Sequence, residues 1–202
     1  MTEGTPDLSE EVSDPGAADG EPTGSGPIVV LVGVPGSGKS TIGRALAAAL
    51  GVEFRDTDTD VEVDTGRSIA DIFVQSGEPE FRRLEEAAVA AALADHRGVL
   101  ALGGGAVTSA STRELLLDAP VVWLRVGLAA ASQRAGLSGA RPVLLGNVRA
   151  QMKVLMDARA ALYGEVATLT VDTDELSVDE TVAAILAGLE LTPETTRSAA
   201  DD

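Results

Sequence analysis

The 202-residue chain has no cysteine, a single histidine, and few aromatics: three Phe, one Tyr and one Trp. Without thiols there are no disulfides and no thiolate metal centres, which agrees with a reducing, cytoplasmic setting. Basic residues are scarce, 15 against 32 acidic ones, for a net charge of −17. That balance argues against nucleic acid or an anionic membrane as a partner, since both need basic surface. No apolar run reaches the ~18 residues of a membrane span. The acidic start lacks the apolar core of a secretory signal. A hydrophobic content of 45% is enough for one core. The expectation is one cytoplasmic domain, acting as a monomer. In so acidic a chain, any anionic ligand must be met by a few gathered arginines.

Both ends differ from the middle. Residues 1–26 carry Glu3, Asp7, Glu10, Glu11, Asp14, Asp19 and Glu21, no basic residue, and many Gly, Pro, Ser and Thr. Low hydrophobicity with charge of one sign does not repay the entropy of folding, so this stretch reads as a disordered extension. Residues 192–202 read as a shorter tail of the same kind, leaving a folded domain over 27–191.

That domain opens with an apolar run, Ile28-Val29-Val30-Leu31-Val32, then Gly33-Val34-Pro35-Gly36-Ser37-Gly38-Lys39-Ser40-Thr41, then a helix-forming stretch. Strand, glycine loop and helix in that order form the setting of a Walker A phosphate loop. Glycines turn backbone N–H groups inward around a polyphosphate, and the helix adds its free N-terminal donors. Lys39 is placed to reach the β- and γ-phosphates, and the Ser40 hydroxyl to ligate Mg²⁺.

Further along, apolar runs alternate with helical periodicity. Strands are expected at 28–32, 53–55, 98–102, 120–125 and 167–171. Helices are expected at 39–50, 58–65, 68–74, 79–95, 111–117, 128–135, 147–163 and 177–189. The pattern predicts an α/β fold, a three-layer αβα sandwich around a five-stranded parallel sheet. Ligands of such sheets bind beyond the carboxyl ends of the strands. Strand one ends in the phosphate loop, strand two in Asp56-Thr57-Asp58, and strand three in Gly103-Gly104-Gly105, while strand four leads to Arg134 and Arg141.

Each of these groups has two readings when taken alone. Asp56 and Asp58 suit a magnesium site and the activation of an attacking hydroxyl, but Asp-Thr-Asp is also turn and helix-cap composition. Arg82 and Glu85 share a helix face, either as a held anion clamp or as a solvated ion pair. Three successive glycines suit a loop that must approach a ligand closely. The small residues 136–140 beside Arg141 read as a flap over phosphates or as a surface loop, and the lid is placed at about 134–147. Arg159 is ambiguous, His96 reads as a helix-end residue, and Trp123 and Tyr163 read as packing.

Together these segments resemble shikimate kinase, of the nucleoside-monophosphate-kinase-like P-loop group. The resemblance rests on the phosphate loop at 33–41, Asp-Thr-Asp at 56–58 and Thr-Gly-Arg-Ser-Ile-Ala-Asp-Ile-Phe at 65–73. It continues through Gly-Glu-Pro-Glu-Phe-Arg-Arg-Leu-Glu at 77–85, Gly-Gly-Gly-Ala at 103–106, Arg-Pro at 141–142 and Arg-Ala-Ala-Leu-Tyr at 159–163. It implies transfer of the γ-phosphate of ATP to the 3-hydroxyl of shikimate, in aromatic amino acid biosynthesis. Gly36, Ser37, Gly38, Lys39, Ser40, Thr41, Arg134 and Arg141 would serve ATP. Ser40 would hold Mg²⁺ directly and Asp56 through water. Asp58, Arg82, Glu85, Gly103, Gly104, Gly105 and Arg159 would form the shikimate site, with Lys39, Asp58 and Arg141 catalytic.

Two positions depart from the family pattern. Leu176-Ser177-Val178 lacks the proline often found beside the adenine, which leaves base selectivity open. Ala101-Leu102 lacks the hydroxyl residue that often precedes the triple glycine. The competing readings are another small-molecule P-loop kinase, such as a gluconate kinase, and a nucleotide-binding regulator without catalysis. A gluconate kinase gives no reason for Asp58, Arg82 and Arg159 to converge. Against a regulator, the phosphate-transfer set is complete.

Overall fold

A computed structural model describes residues 26–134 and 142–193. The acidic extension up to residue 25, the flap with Arg141, and the tail from 194 lie outside the described residues.

Five parallel strands form one sheet in the order β2-β3-β1-β4-β5. They are β1 (Val29–Val32), β2 (Phe54–Asp56), β3 (Val99–Ala101), β4 (Val121–Arg125) and β5 (Leu169–Asp172). The described helices are α1 (Lys39–Leu50), α2 (Thr57–Thr65), α3 (Ile69–Asp95), α4 (Ala110–Leu116), α5 (Leu128–Arg134), α6 (Pro142–Val166) and α7 (Val178–Gly188), with a 3₁₀ turn at Ala106–Thr108. β1 is central, registering Val29 on Val99 of β3 and Val30 on Val121 of β4. Its four residues are all buried, as an apolar strand covered on both faces must be.

Alternation along the strands divides the core in two. Val30, Val32, Leu100 and Leu102 face Val89 of α3, Leu116 of α4 and Tyr163 of α6. Val29, Leu31, Val122 and Leu124 face Ile42 and Leu46 of α1 and Ile185 of α7. A smaller cluster of Val61, Ile72, Phe81 and Ala88 packs α2 onto α3 beside the carboxyl edge of β2. Among the described residues no helix is long and apolar enough to cross a membrane.

The expected elements are all present, and the differences have local causes. Where two helices are expected at 68–74 and 79–95, the chain runs as one helix with a break at Gly77, whose φ of 80° and ψ of 170° are not helical. Pro79 follows, where the restarting helix needs no N–H. The helix expected at 147–163 begins at Pro142 and ends at Val166. Proline at a helix start is favoured by its fixed φ. The stretch 142–147, expected within the lid, is therefore helical.

His96 caps the end of α3, its N–H reaching Ala92 O and its buried Nε2 lying 3.1 Å from Val99 O. Gly98 sits against it, so that a Cβ there would press into the Glu53 carbonyl and come within 3.0 Å of His96 Nε2. The Glu53 carbonyl is also the acceptor for Val99 N–H, the bond that begins the β2–β3 pairing. Gly98→Ala is expected to cost about 2 kcal/mol, or roughly 5 °C in Tm. Thermal unfolding at wild-type Tm would contradict this packing.

Candidate active site

Because all five strands run in parallel, the turns after β1, β2 and β3 emerge on one edge of the sheet. The phosphate loop follows β1. Gly36 and Gly38 adopt φ of 81° and 95°, a conformation costly for any other residue, and α1 starts directly behind them. A Cβ on Gly36 would also press 2.5 Å from the carbonyl of Ala131 in α5. Lys39 folds back over the loop and donates to Gly33 O at 2.8 Å and Val34 O at 3.2 Å. Burial pushes its ammonium down to about pKa 8, while Asp58 and Asp56 pull the other way. Ser37 Oγ is buried and has no partner among the described residues.

Asp56 ends β2 and does two things at once. Its Oδ1 accepts from Asp58 N–H at 3.1 Å, capping α2, and its Oδ2 accepts from Ser40 Oγ at 2.8 Å. The helix-cap reading of this residue holds, and its second oxygen is turned to the phosphate-loop serine. Asp58 stands one residue inside α2, its carboxyl pushed up to about pKa 6, chiefly by burial and then by Asp56 and Glu85, with Lys39 opposing. Thr57 between them is fully buried, and its Oγ1 accepts from Gly103 N–H at 3.1 Å, tying the second turn to the third.

The triple glycine follows β3. None of the three has positive φ, so backbone freedom does not explain them. Side-chain approach does. A Cβ on Gly103 would collide with Glu85 Oε1 and lie 2.5 Å from Asp58 Oδ1, and one on Gly105 would run into Arg82, 2.6 Å from Cζ. A Cβ on Gly104 would meet Pro35 Cδ at 3.0 Å and Gly33 O at 3.3 Å, so the loop also abuts the phosphate loop.

Arg82 lies in α3 between two carboxylates. Its Nη1 donates to Glu85 Oε2 at 2.6 Å, and its Nε and Nη2 donate to Glu78 Oε1 at 3.2 and 2.9 Å. Among the described residues this leaves one N–H on Nη1 and one on Nη2, donors of the kind that bind a ligand carboxylate. Glu85 is 3% exposed, so the pair is not a solvated surface bridge. Burial raises the Glu85 carboxyl, against the hydrogen bond from Arg82, and its Oε1 has no partner among the described residues. Arg159 of α6 reaches the same loop, its Nη1 donating to Gly104 O at 2.9 Å.

A cleft of about 520 Å³ runs from Asp56, Asp58, Lys39 and Ser40 along the phosphate loop to Arg134, Thr173, Leu176, Ser177, Val178 and Thr181. Arg134 is pinned across it by bonds to Thr173 Oγ1 at 3.1 Å and Thr173 O at 2.7 Å. Its far end has the flat cation and the apolar Val178 that suit a nucleobase. Among the described residues no group of three His, Cys, Asp or Glu could hold a metal. The Ser40 hydroxyl and the Asp56 carboxylate are hard oxygens of the kind magnesium shares with waters and phosphates.

The structure thus brings together Gly36, Ser37, Gly38, Lys39, Ser40, Thr41, Asp56, Asp58, Arg82, Glu85, Arg159 and the glycines at 103–105, with Arg134 at the far end. Arg141 lies outside the described residues. Two contributors are not singled out by the sequence. Thr57 hides in turn composition, though its place between the aspartates points at it. Tyr163 reads as packing, yet its hydroxyl donates to Gly104 O at 2.6 Å. Its spacing of four from Arg159 on one helix is the signal for it.

The model of the family described as shikimate kinase matches residues 35–190. A shikimate kinase of Saccharopolyspora erythraea is 57% identical over 161 residues, 79% of this chain and 92% of that protein. One of Mycobacterium tuberculosis is 54% identical, over 82% of this chain and 94% of that protein. Among solved structures, shikimate kinase from Acinetobacter baumannii in complex with shikimate is similar at a TM-score of 0.73 and 34% identity, over 88% of this chain and 96% of that one. Sequence, fold and site agree: the chain belongs to the shikimate kinase family.

Proposed function

We propose that this protein catalyses the ATP-dependent phosphorylation of shikimate, giving shikimate 3-phosphate and ADP for aromatic amino acid biosynthesis. The observation that carries this reading is the convergence of Asp58, Glu85, Arg82 and Arg159 on the glycine loop beside the phosphate loop. A small hydroxylated acid needs cationic forks for its carboxylate and a carboxylate for its ring hydroxyls. The net charge of −17 supports a small-molecule acceptor over nucleic acid or membrane.

Arg82 offers its remaining N–H donors to the shikimate carboxylate, and Arg159 approaches it from α6. Asp58 accepts a hydrogen bond from the 3-hydroxyl and fixes its oxygen towards the phosphate loop. As that oxygen bonds to the γ-phosphorus, the bond from phosphorus to the ADP oxygen breaks, and the hydroxyl proton passes to Asp58. Lys39 leaves the Gly33 and Val34 carbonyls to neutralise the β- and γ-phosphate oxygens. Ser40 and Asp56 would hold Mg²⁺, which would supply charge neutralisation for the phosphates. With a loose transition state, positioning and charge account for most of the rate. Arg134 stacks on the adenine, and Arg141 is assigned to the transferring phosphate.

ADP release with and without shikimate, on wild type and Asp58→Asn, tests the assignment. Wild type is expected to turn over only with shikimate, and Asp58→Asn to lose at least about 100-fold in kcat. ADP release indifferent to shikimate would sink the acceptor assignment, and an active Asp58→Asn enzyme the role of Asp58.

The state of Asp58 gives a second test. A carboxyl raised to about 6 is protonated below that pH and ready to accept a proton above it. Carbon NMR of the ligand-free enzyme is expected to show Asp58 titrating near pH 6. An ordinary midpoint near 4 would contradict the burial and crowding described above.

A further inference from the structure

Tyr163 is 1% exposed and lies within α6, its ring stacked on Trp123 at 5.6 Å and 26°. Packing alone would be served equally by phenylalanine. A buried hydroxyl is costly unless bonded, and this one donates to the carbonyl of Gly104, the middle residue of the glycine loop. The same oxygen accepts from Arg159 Nη1. Both lone pairs of one carbonyl are therefore taken by two side chains four residues apart on one helix. Burial holds the phenol up at about pKa 12, so it stays a donor at any working pH.

The consequence is a mechanical link. Gly103 N–H is held from the other side by Thr57 Oγ1, and Gly104 rests on Pro35. The Tyr163 hydroxyl and the Arg159 guanidinium thus meet on one carbonyl, tying the loop and the guanidinium to the same helix.

We propose that Tyr163 is a positioning residue for the acceptor: through the Gly104 carbonyl, its hydroxyl fixes the 103–105 loop and sets the guanidinium of Arg159 towards the shikimate carboxylate. This rests on the reading of Arg159 as a carboxylate clamp.

The test is steady-state kinetics on Tyr163→Phe, Arg159→Lys and the double variant, with Tm measured for each. Tyr163→Phe keeps the ring and the Trp123 stack. It is expected to raise the shikimate KM about five- to tenfold, the scale of one hydrogen bond, while the ATP KM moves less than about twofold. The double variant is expected to raise the shikimate KM by less than the product of the single effects, because both side chains act on one carbonyl. A wild-type shikimate KM in Tyr163→Phe would overturn the proposal, as would equal rises in both KM values with a lowered Tm, the mark of a packing role. Arg159→Lys with unchanged shikimate KM would remove the clamp itself, and Tyr163's task with it. Arg159→Lys impaired beside a silent Tyr163→Phe would overturn the role of Tyr163 alone.

Discussion

The acceptor half of the site depends on a strip of backbone without side chains. Asp58 and Glu85 press towards Gly103 from two elements, and Arg82 occupies the space where a side chain on Gly105 would stand. Thr57, Tyr163 and Arg159 hold the same strip by its N–H and C=O groups. The groups assigned above to the acceptor are thus referenced to one loop, which in turn touches the phosphate loop through Gly104 and Pro35. The sites proposed for donor and acceptor would thus share a wall of main chain.

Charge follows the same economy. Asp56, Asp58 and Glu85 stand against Lys39, Arg82 and Arg159 in a partly buried cluster, so each charge is costly alone and supported by a neighbour. Lys39 lies below its usual range and Asp58 above, both because burial disfavours the charged form. ATP and its metal would bring charges of both signs into this cluster.

Much of this was legible in the sequence, for identifiable reasons. The central strands read as apolar runs because they are covered on both faces, and the glycine loop before Lys39 fixed the start of α1 at the observed residue. The break at Gly77 fell between the two helices expected there, since glycine and proline act locally. Long-range contacts were harder to read. Whether Arg82–Glu85 is a surface pair or a buried clamp depends on what α3 packs against, and the triple glycine owes its composition to side chains from α2 and α3 rather than to its own dihedrals. Tyr163 looked like core because most of it is core, and only its oxygen atom belongs to the site. The family resemblance supplied the substrate, which spacing alone leaves open.

The most direct test of this arrangement is the affinity of Gly105→Ala for shikimate and for ATP, measured by calorimetry on the folded variant. The added methyl meets the mobile end of Arg82 rather than backbone, so the chain is expected to fold with the clamp displaced. Shikimate affinity is predicted to fall at least about 30-fold, the scale of one lost charge-assisted pair, with ATP affinity within about twofold of wild type. Wild-type affinity for shikimate would mean that the bare strip at 103–105 does not position the acceptor groups, and would contradict the account.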